Sequence, residues 1–241
     1  VVNEFEVKAA KSFDRKYALA VSNGSVALDL AFQLFDFKEG DEVIIPSFTI
    51  VSCLAAVVRS GAKPVFCDVD AETWNVKLEN IASKVTSRTK AVLVVHTYGL
   101  SSEIKKISEF CSKNNLYLIE DAAEAHGQTD QNLKCGSFGD VSTMSFYANK
   151  HVTTGEGGMV LTNSEAHFEK IKSMRNLDFT NKSRFKHENL YWNYRLGGLQ
   201  AALGISQLTQ LEKQIKNKIH QGSVYQNLLE EYSSVLTLPL D

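Results

Sequence analysis

Three stretches of this 241-residue chain carry side chains whose types and surroundings could do chemistry. Lys150 lies in S-F-Y-A-N-K-H-V-T-T-G-E-G-G, between an aromatic, strand-like run and a glycine-rich turn. An amine placed there can attack a carbonyl and hold it as a Schiff base; the plainer reading of a single lysine is a solvated surface charge. Asp121 ends the apolar run L-Y-L-I-E-D and opens D-A-A-E-A-H-G. A carboxylate buried there needs a cation or hydrogen-bond donors. The plainer alternative is a helix N-cap, with Glu124 as its capping-box partner. Asn23-Gly24-Ser25 follows an apolar run and opens a helical pattern. Free backbone N–H groups and the positive end of a helix dipole would make an anion site, though an ordinary N-cap explains the serine equally well. The stretch has neither the P-loop pattern nor the G-x-G-x-x-G of a dinucleotide site.

These residues converge only if the intervening chain folds as an α/β sheet. Short apolar runs at 18–21, E-V-I-I-P, K-P-V-F-C-D-V-D, K-A-V-L-V-V-H-T-Y-G and L-Y-L-I-E-D alternate with helical patterns predicted at 26–35, 49–60, 77–85 and 102–114, after a first helix at 4–13. Continuously apolar strands between amphipathic helices predict a largely parallel sheet covered on both faces. Two further strands, in D-V-S-T-M-S-F-Y-A and G-G-M-V-L-T-N, a helical region after Glu165 and a polar loop around 181–189 follow. Leu199, Leu203, Leu208 and Leu211 stand at helical spacing in one long helix predicted over 199–232. The expected organisation is a large α/β domain over 1–200, with 201–241 a long helix leading into a mostly absent small domain.

In an open α/β sheet ligands bind beyond the carboxyl ends of the strands. The polar residues there are Ser22 to Ser25, Pro46 to Thr49, His96 to Tyr98, Asp121, and Ser145 to Lys150. Any recognition is local, because 26 basic against 28 acidic residues leave a net charge of -2 and no footprint for nucleic acid or an anionic membrane. Cys53, Cys67, Cys111 and Cys135 show no zinc-site spacing and read as reduced thiols of a cytoplasmic protein. No apolar run reaches the roughly 18 residues of a membrane span, and V-V-N-E-F-E-V lacks the features of a signal peptide. The chain opens without Met and stops inside the apolar stretch S-S-V-L-T-L-P-L-D, so it is read as cut at both ends.

Taken together, V-S-N-G-S-V-A-L-D-L, D-E-V-I-I-P-S-F-T, E-D-A-A-E-A-H-G, G-S-F-G-D-V-S-T-M-S-F-Y-A-N-K, T-T-G-E-G-G-M-V and N-Y-R-L-G-G-L-Q-A-A-L-G resemble the DegT/DnrJ/EryC1/StrS family of sugar aminotransferases, in order along almost the whole chain. The resemblance implies the fold-type-I fold of pyridoxal-phosphate enzymes, a cytoplasmic homodimer with shared active sites, and transfer of an amino group from glutamate to a nucleotide-linked keto sugar in polysaccharide biosynthesis. By position, Lys150 would hold the cofactor as a Schiff base and Asp121 would pair with its pyridine nitrogen. Glu124 would lie near its 3-hydroxyl. Gly24, Ser25 and Ser145 would hold its phosphate, and Asn193 would reach the phosphate in the neighbouring subunit. No metal is implied.

Two departures stand out. Ile50 occupies a position where many members put an aromatic residue over the cofactor ring, so weaker stacking is expected. Gly197-Gly198 replaces a polar pair after N-Y-R-L. A related branch has histidine in place of the Schiff-base lysine and acts as a sugar dehydratase; the distance to G-E-G-G puts Lys150, not His151, at that position. A pyridoxal-phosphate-binding regulatory protein or fragment without turnover is the alternative from another class. The motif combination resembles most the members that aminate C4 of GDP-4-keto-6-deoxymannose.

Overall fold

The computed structural model describes residues 1–179 and 186–238. Part of the polar loop expected at 181–189, and the end of the apolar stretch after Leu238, lie outside the described residues. The elements in chain order are α1 (Val2–Ser12), β1 (Tyr17–Val21), α2 (Gly24–Gln33), β2 (Glu42–Pro46), α3 (Val51–Arg59), β3 (Lys63–Cys67), α4 (Leu78–Ala82), β4 (Thr89–Val95), α5 (Ile104–Lys113), β5 (Tyr117–Asp121), a small hairpin of β6 (Thr129–Asp130) and β7 (Leu133–Lys134), β8 (Val141–Ser145), β9 (Gly158–Thr162), α6 (Glu165–Arg175), α7 (Gly198–Leu208) and α8 (Leu211–Leu229).

Seven strands form one sheet in the order β1-β9-β8-β5-β4-β2-β3. β8, β5, β4, β2 and β3 are parallel, and β9 runs against both of its neighbours. This is the largely parallel α/β sheet expected from the apolar strands. The reason shows in β4, where Ala91, Leu93 and Val95 pack into the core on one face and Val92 and Val94 into the core on the other. Successive side chains of a strand point to opposite faces, so a strand with helices on both sides must be apolar throughout.

α2, α3 and α6 contribute to the core on one face. The other face is covered by α1 and α7 at the β1 end and by α4 and α5 at the β3 end. Arg15, buried just after α1, donates to the carbonyls of Gly136 (2.7 Å) and Gly139 (2.7 Å) and to the Ser142 hydroxyl (2.6 Å). It thereby ties the start of the chain to the turn that feeds β8.

Two expectations are corrected. The helix expected at 77–85 is only α4, because the polar residues after Ala82 turn the chain toward Thr89, whose hydroxyl accepts from Thr86 N–H. The single helix expected over 199–232 is two helices, broken at Thr209 and Gln210. Both flanking leucines, Leu208 and Leu211, are buried in the same core, and the break lets each reach it. Helical spacing of leucines records which side is apolar, not whether the axis stays straight.

α7 crosses α1 where Gly204 has no side chain: a Cβ there would lie 2.5 Å from the Phe5 ring, itself fully buried. Gly204→Leu should therefore overpack this contact and cost about 1–3 kcal/mol of stability, read as a lower urea midpoint at unchanged m-value.

Candidate active site

The carboxyl ends of β2, β4, β5 and β8 and the start of α2 converge on a cavity of about 750 Å³. Of the expected residues, Gly24, Ser25, Ile50, Asp121, Glu124, Ser145 and Lys150 all line it. Asn193 does not; it is exposed, bridged through the backbone to Asn176.

The turn into α2 is built to leave donors free. Asn23, not Ser25, is the N-cap, its side chain accepting from Val26 N–H (2.9 Å). The first backbone bond of the helix runs from Ala27 to the Asn23 carbonyl (3.1 Å), so the Gly24 and Ser25 N–H groups have no intrahelical partner. The Ser25 hydroxyl meets that of Ser52 at 2.7 Å, on the cavity wall. Glycine is required at Gly158, where a Cβ would come 2.3 Å from the Asn23 carbonyl, and the fit is tight at Gly24, where one would come 3.0 Å from Ser145 Cβ. Two hydroxyls, a further serine at the end of β8 and a helix N-terminus make an anion cradle.

Asp121 is buried, and its three hydrogen-bond donors are all neutral. Oδ1 accepts from Ala123 N–H (3.1 Å) and the Thr143 hydroxyl (3.2 Å), and Oδ2 from the Cys53 thiol (3.4 Å). Burial pushes its carboxyl above the ordinary range, opposed by these hydrogen bonds and by the Lys150 charge. Such a group is poised for a cationic partner. The capping-box alternative does not hold, because turns rather than a helix follow Asp121. Glu124 instead accepts from Lys150 Nζ (3.0 Å) and from Tyr98 N–H (2.9 Å).

That second bond holds Tyr98 at φ 55, an uncommon left-handed conformation, in the turn where Gly99 also has positive φ. Phe48, Trp74 and Tyr98 cluster at the rim with ring centroids 5.5–6.4 Å apart, and Ile50 beside them is 64% exposed. Thr49, Thr97 and Tyr98 reach the cavity from strand ends, as their positions suggested, and so do Tyr147, Asn149 and Glu156. Ser52 and Cys53 gave no sequence signal, being small residues in the first turn of a helix.

His96 is the strand-end residue that goes elsewhere. It is buried, with Nε2 3.0 Å from Glu120 Oε1. Glu120 points away from Asp121, as neighbours on a strand must, and also accepts from Gly136, Phe138 and Gly139 N–H and from the Ser142 hydroxyl. His96, Glu120 and Cys135 put ligand-type atoms within 4.8 Å of one another. The carboxylate is already filled by N–H and O–H donors, so the cluster braces the β8 turn rather than forming a metal site.

The turn carrying Lys150 is braced by a second buried histidine. His126 Nδ1 accepts from Val152 N–H (3.4 Å), and its ring packs against Phe13 (5.8 Å) and Phe146 (5.7 Å). Lys150 Nζ lies on the cavity wall; His151 does not, its ring standing 6.1 Å from that of His126.

The model of the DegT/DnrJ/EryC1/StrS aminotransferase family matches residues 1–241, and the chain belongs to this family. It is 41% identical over 228 residues to GDP-perosamine synthase of Vibrio cholerae, covering 95% of this chain and 62% of that protein. It is 39% identical over 224 residues to GDP-perosamine synthase of Escherichia coli O157:H7, covering 93% and 62%. Among solved structures, the aminotransferase from Psychrobacter cryohalolentis superposes with a TM-score of 0.92 at 35% identity, over 99% of this chain and 64% of that one. E. coli GDP-4-keto-6-deoxy-D-mannose-3-dehydratase superposes at 0.88 with 27% identity, over 95% and 65%. The chain thus spans under two thirds of the length of these relatives. Among the described residues no helix is long and apolar enough to cross a membrane.

Burial, with the nearby positive His151 and Lys150, depresses the His126 pKa from 6.5 to about 3, so the folded protein holds it neutral. The unfolded chain takes up this proton first as pH falls. The stability contribution is therefore complete above 6.5 and shrinks from there down to about 3. Urea midpoints measured across this range should fall, and His126→Gln, which keeps an acceptor for Val152, should flatten that part of the profile.

Proposed function

We propose that this protein is a pyridoxal-phosphate-dependent aminotransferase that moves an amino group from glutamate to a nucleotide-linked keto sugar, with C4 of GDP-4-keto-6-deoxymannose as the acceptor position. The observation that carries this reading is the convergence, in one cavity, of an anion cradle at the start of α2, a buried carboxylate with only neutral donors, and a lysine amine. Those three features match the phosphate, the pyridine nitrogen and the aldehyde of the cofactor. The choice of acceptor rests on the GDP-perosamine synthases at 37–41% identity.

When bound, pyridoxal phosphate supplies an aldehyde that condenses with amines and a protonated ring that withdraws electrons from the attached carbon. The chain's own residues do the rest. Gly24 and Ser25 N–H, with the hydroxyls of Ser25 and Ser145, would hold the phosphate. Asp121, whose burial otherwise disfavours its charge, would keep the ring nitrogen protonated by pairing with it. Lys150 would hold the aldehyde carbon through Nζ and, once displaced by an incoming amine, carry a proton between substrate and cofactor carbons as base and then acid. Glu124, 3.0 Å from Nζ, would orient the released amine and pair with it once it has taken up the proton. Ile50 would cover the ring by dispersion alone.

Two further elements belong to this reading. Asn193 would act across a homodimer, reaching the phosphate held by the partner copy; exposed Leu190 and Leu199 nearby are apolar surface such an interface would cover. The dehydratase alternative is disfavoured because Lys150 Nζ, not the His151 ring, faces the cavity. Large 1–200 and small C-terminal domains, with the site in the first, complete the proposal.

Borohydride reduction of the complete protein with pyridoxal phosphate should fix the label on the peptide containing Lys150, and Lys150→Ala should take up none. Asp121→Asn should retain the label yet lose about 10²-fold or more in amino transfer from glutamate. A panel of nucleotide-linked keto sugars reads the acceptor. Absence of the label defeats the cofactor assignment, labelling without transfer favours a binding-only protein, and loss of a sugar hydroxyl instead of amination favours a dehydratase.

A further inference from the structure

Cys53 is fully buried in the first turns of α3, yet its sulfur sits between two polar groups. Thr49 donates from Oγ1 to Cys53 Sγ at 3.3 Å, and Cys53 donates from Sγ to Asp121 Oδ2 at 3.4 Å. Thr49 and Asp121 both line the cavity, whereas Cys53 stands behind them and does not. We propose that Cys53 is a positioning residue for Asp121: its thiol donates to Oδ2 and links the Thr49 hydroxyl at the cavity wall to the carboxylate.

The arrangement has a chemical logic. Oδ1 is held by a backbone amide and a hydroxyl, so the carboxylate plane is set from that side. On the other oxygen the donor is a thiol, which satisfies a lone pair more weakly than a hydroxyl would and leaves the oxygen a strong acceptor. Burial first, then the Asp121 charge, pushes the thiol well above its ordinary pKa, so it stays a donor. The charged groups around the carboxylate are Lys150 from the turn after β8, and Glu124 after β5, paired with that lysine. Glu120 on the same strand faces the other side with His96. None of these replaces the thiol on Oδ2.

The proposal rests on the cofactor reading above for its effect, but not for the contact, and two measurements separate them. In the complete protein without cofactor, infrared spectroscopy should show the Cys53 S–H stretch, assigned as the band lost in Cys53→Ala, moving to higher frequency in Asp121→Asn. With pyridoxal phosphate bound, the titration of its ring nitrogen, followed by nitrogen-15 NMR, should shift upward by roughly one pH unit in Cys53→Ala, because a carboxylate short of one donor holds the ring proton more tightly. Cys53→Ser, which restores a donor, should return most of the shift, and Thr49→Val should give a smaller shift in the same direction. An S–H band unmoved by Asp121→Asn overturns the contact. A titration unchanged in both Cys53→Ala and Thr49→Val, or a serine variant indistinguishable from the alanine one, overturns the positioning role. If no cofactor binds while the S–H band still moves, the cofactor reading fails and the contact stands.

Discussion

A carboxylate held out of water at the end of a central strand is the constraint around which the rest of this structure is arranged. Asp121 is buried at the carboxyl end of β5, between β4 and β8, where an isolated charge is costly. Three donors from separate parts of the chain meet it: the backbone at Ala123, a hydroxyl on β8 and a thiol on α3. None of them is charged. The residual deficit would be met by a ligand that brings a cation to that point, and the proposed cofactor does so while offering an aldehyde to the lysine and a phosphate to the start of α2.

Keeping Asp121 in place falls largely to its neighbour. Glu120 occupies the opposite face of β5 and gathers the amides of the turn at 136–139, while Arg15 takes two carbonyls of the same turn. The turn feeds β8, which carries Thr143 to Asp121 and Ser145 to the start of α2. Adjacent carboxylates thus divide the labour. One is saturated and structural; the other is left short of charge and faces the cavity.

The lysine is placed by the packing of its turn and held by one ion pair. Its turn leaves β8 after Ser145, with Val152 N–H fixed on a neutral, aromatic-packed His126 and Thr154 N–H on the Phe146 carbonyl (2.9 Å). Glu124 joins this turn to the one at Tyr98, whose left-handed backbone lies next to the exposed aromatic rim. Strained backbone persists where surrounding contacts over-determine it. Here those contacts tie the amine and the rim to a single carboxylate, so anything that engages Glu124 acts on both.

Much of this was legible in the residues. The alternation of apolar runs and amphipathic helices determined the parallel α/β sheet, because burial on both faces leaves a strand no polar side to show. Strand-end position pointed to Asp121, Ser145 and Lys150, and the motif order pointed to the family. Tertiary structure alone decided the rest. Whether Asp121 capped a helix or entered a cavity depended on Glu124 choosing Lys150 and Tyr98 N–H over a local partner, a contact between segments 26 residues apart in sequence. His96 and Thr97 are adjacent in sequence, yet one braces a turn and the other lines the site, since the chain leaves β4 at Val95 and turns between them. The break at Thr209, the Gly204 crossing on Phe5 and the placement of Cys53 behind Asp121 likewise leave no local mark. Each is settled by which distant surface the residue meets, information that spacing along the chain does not carry.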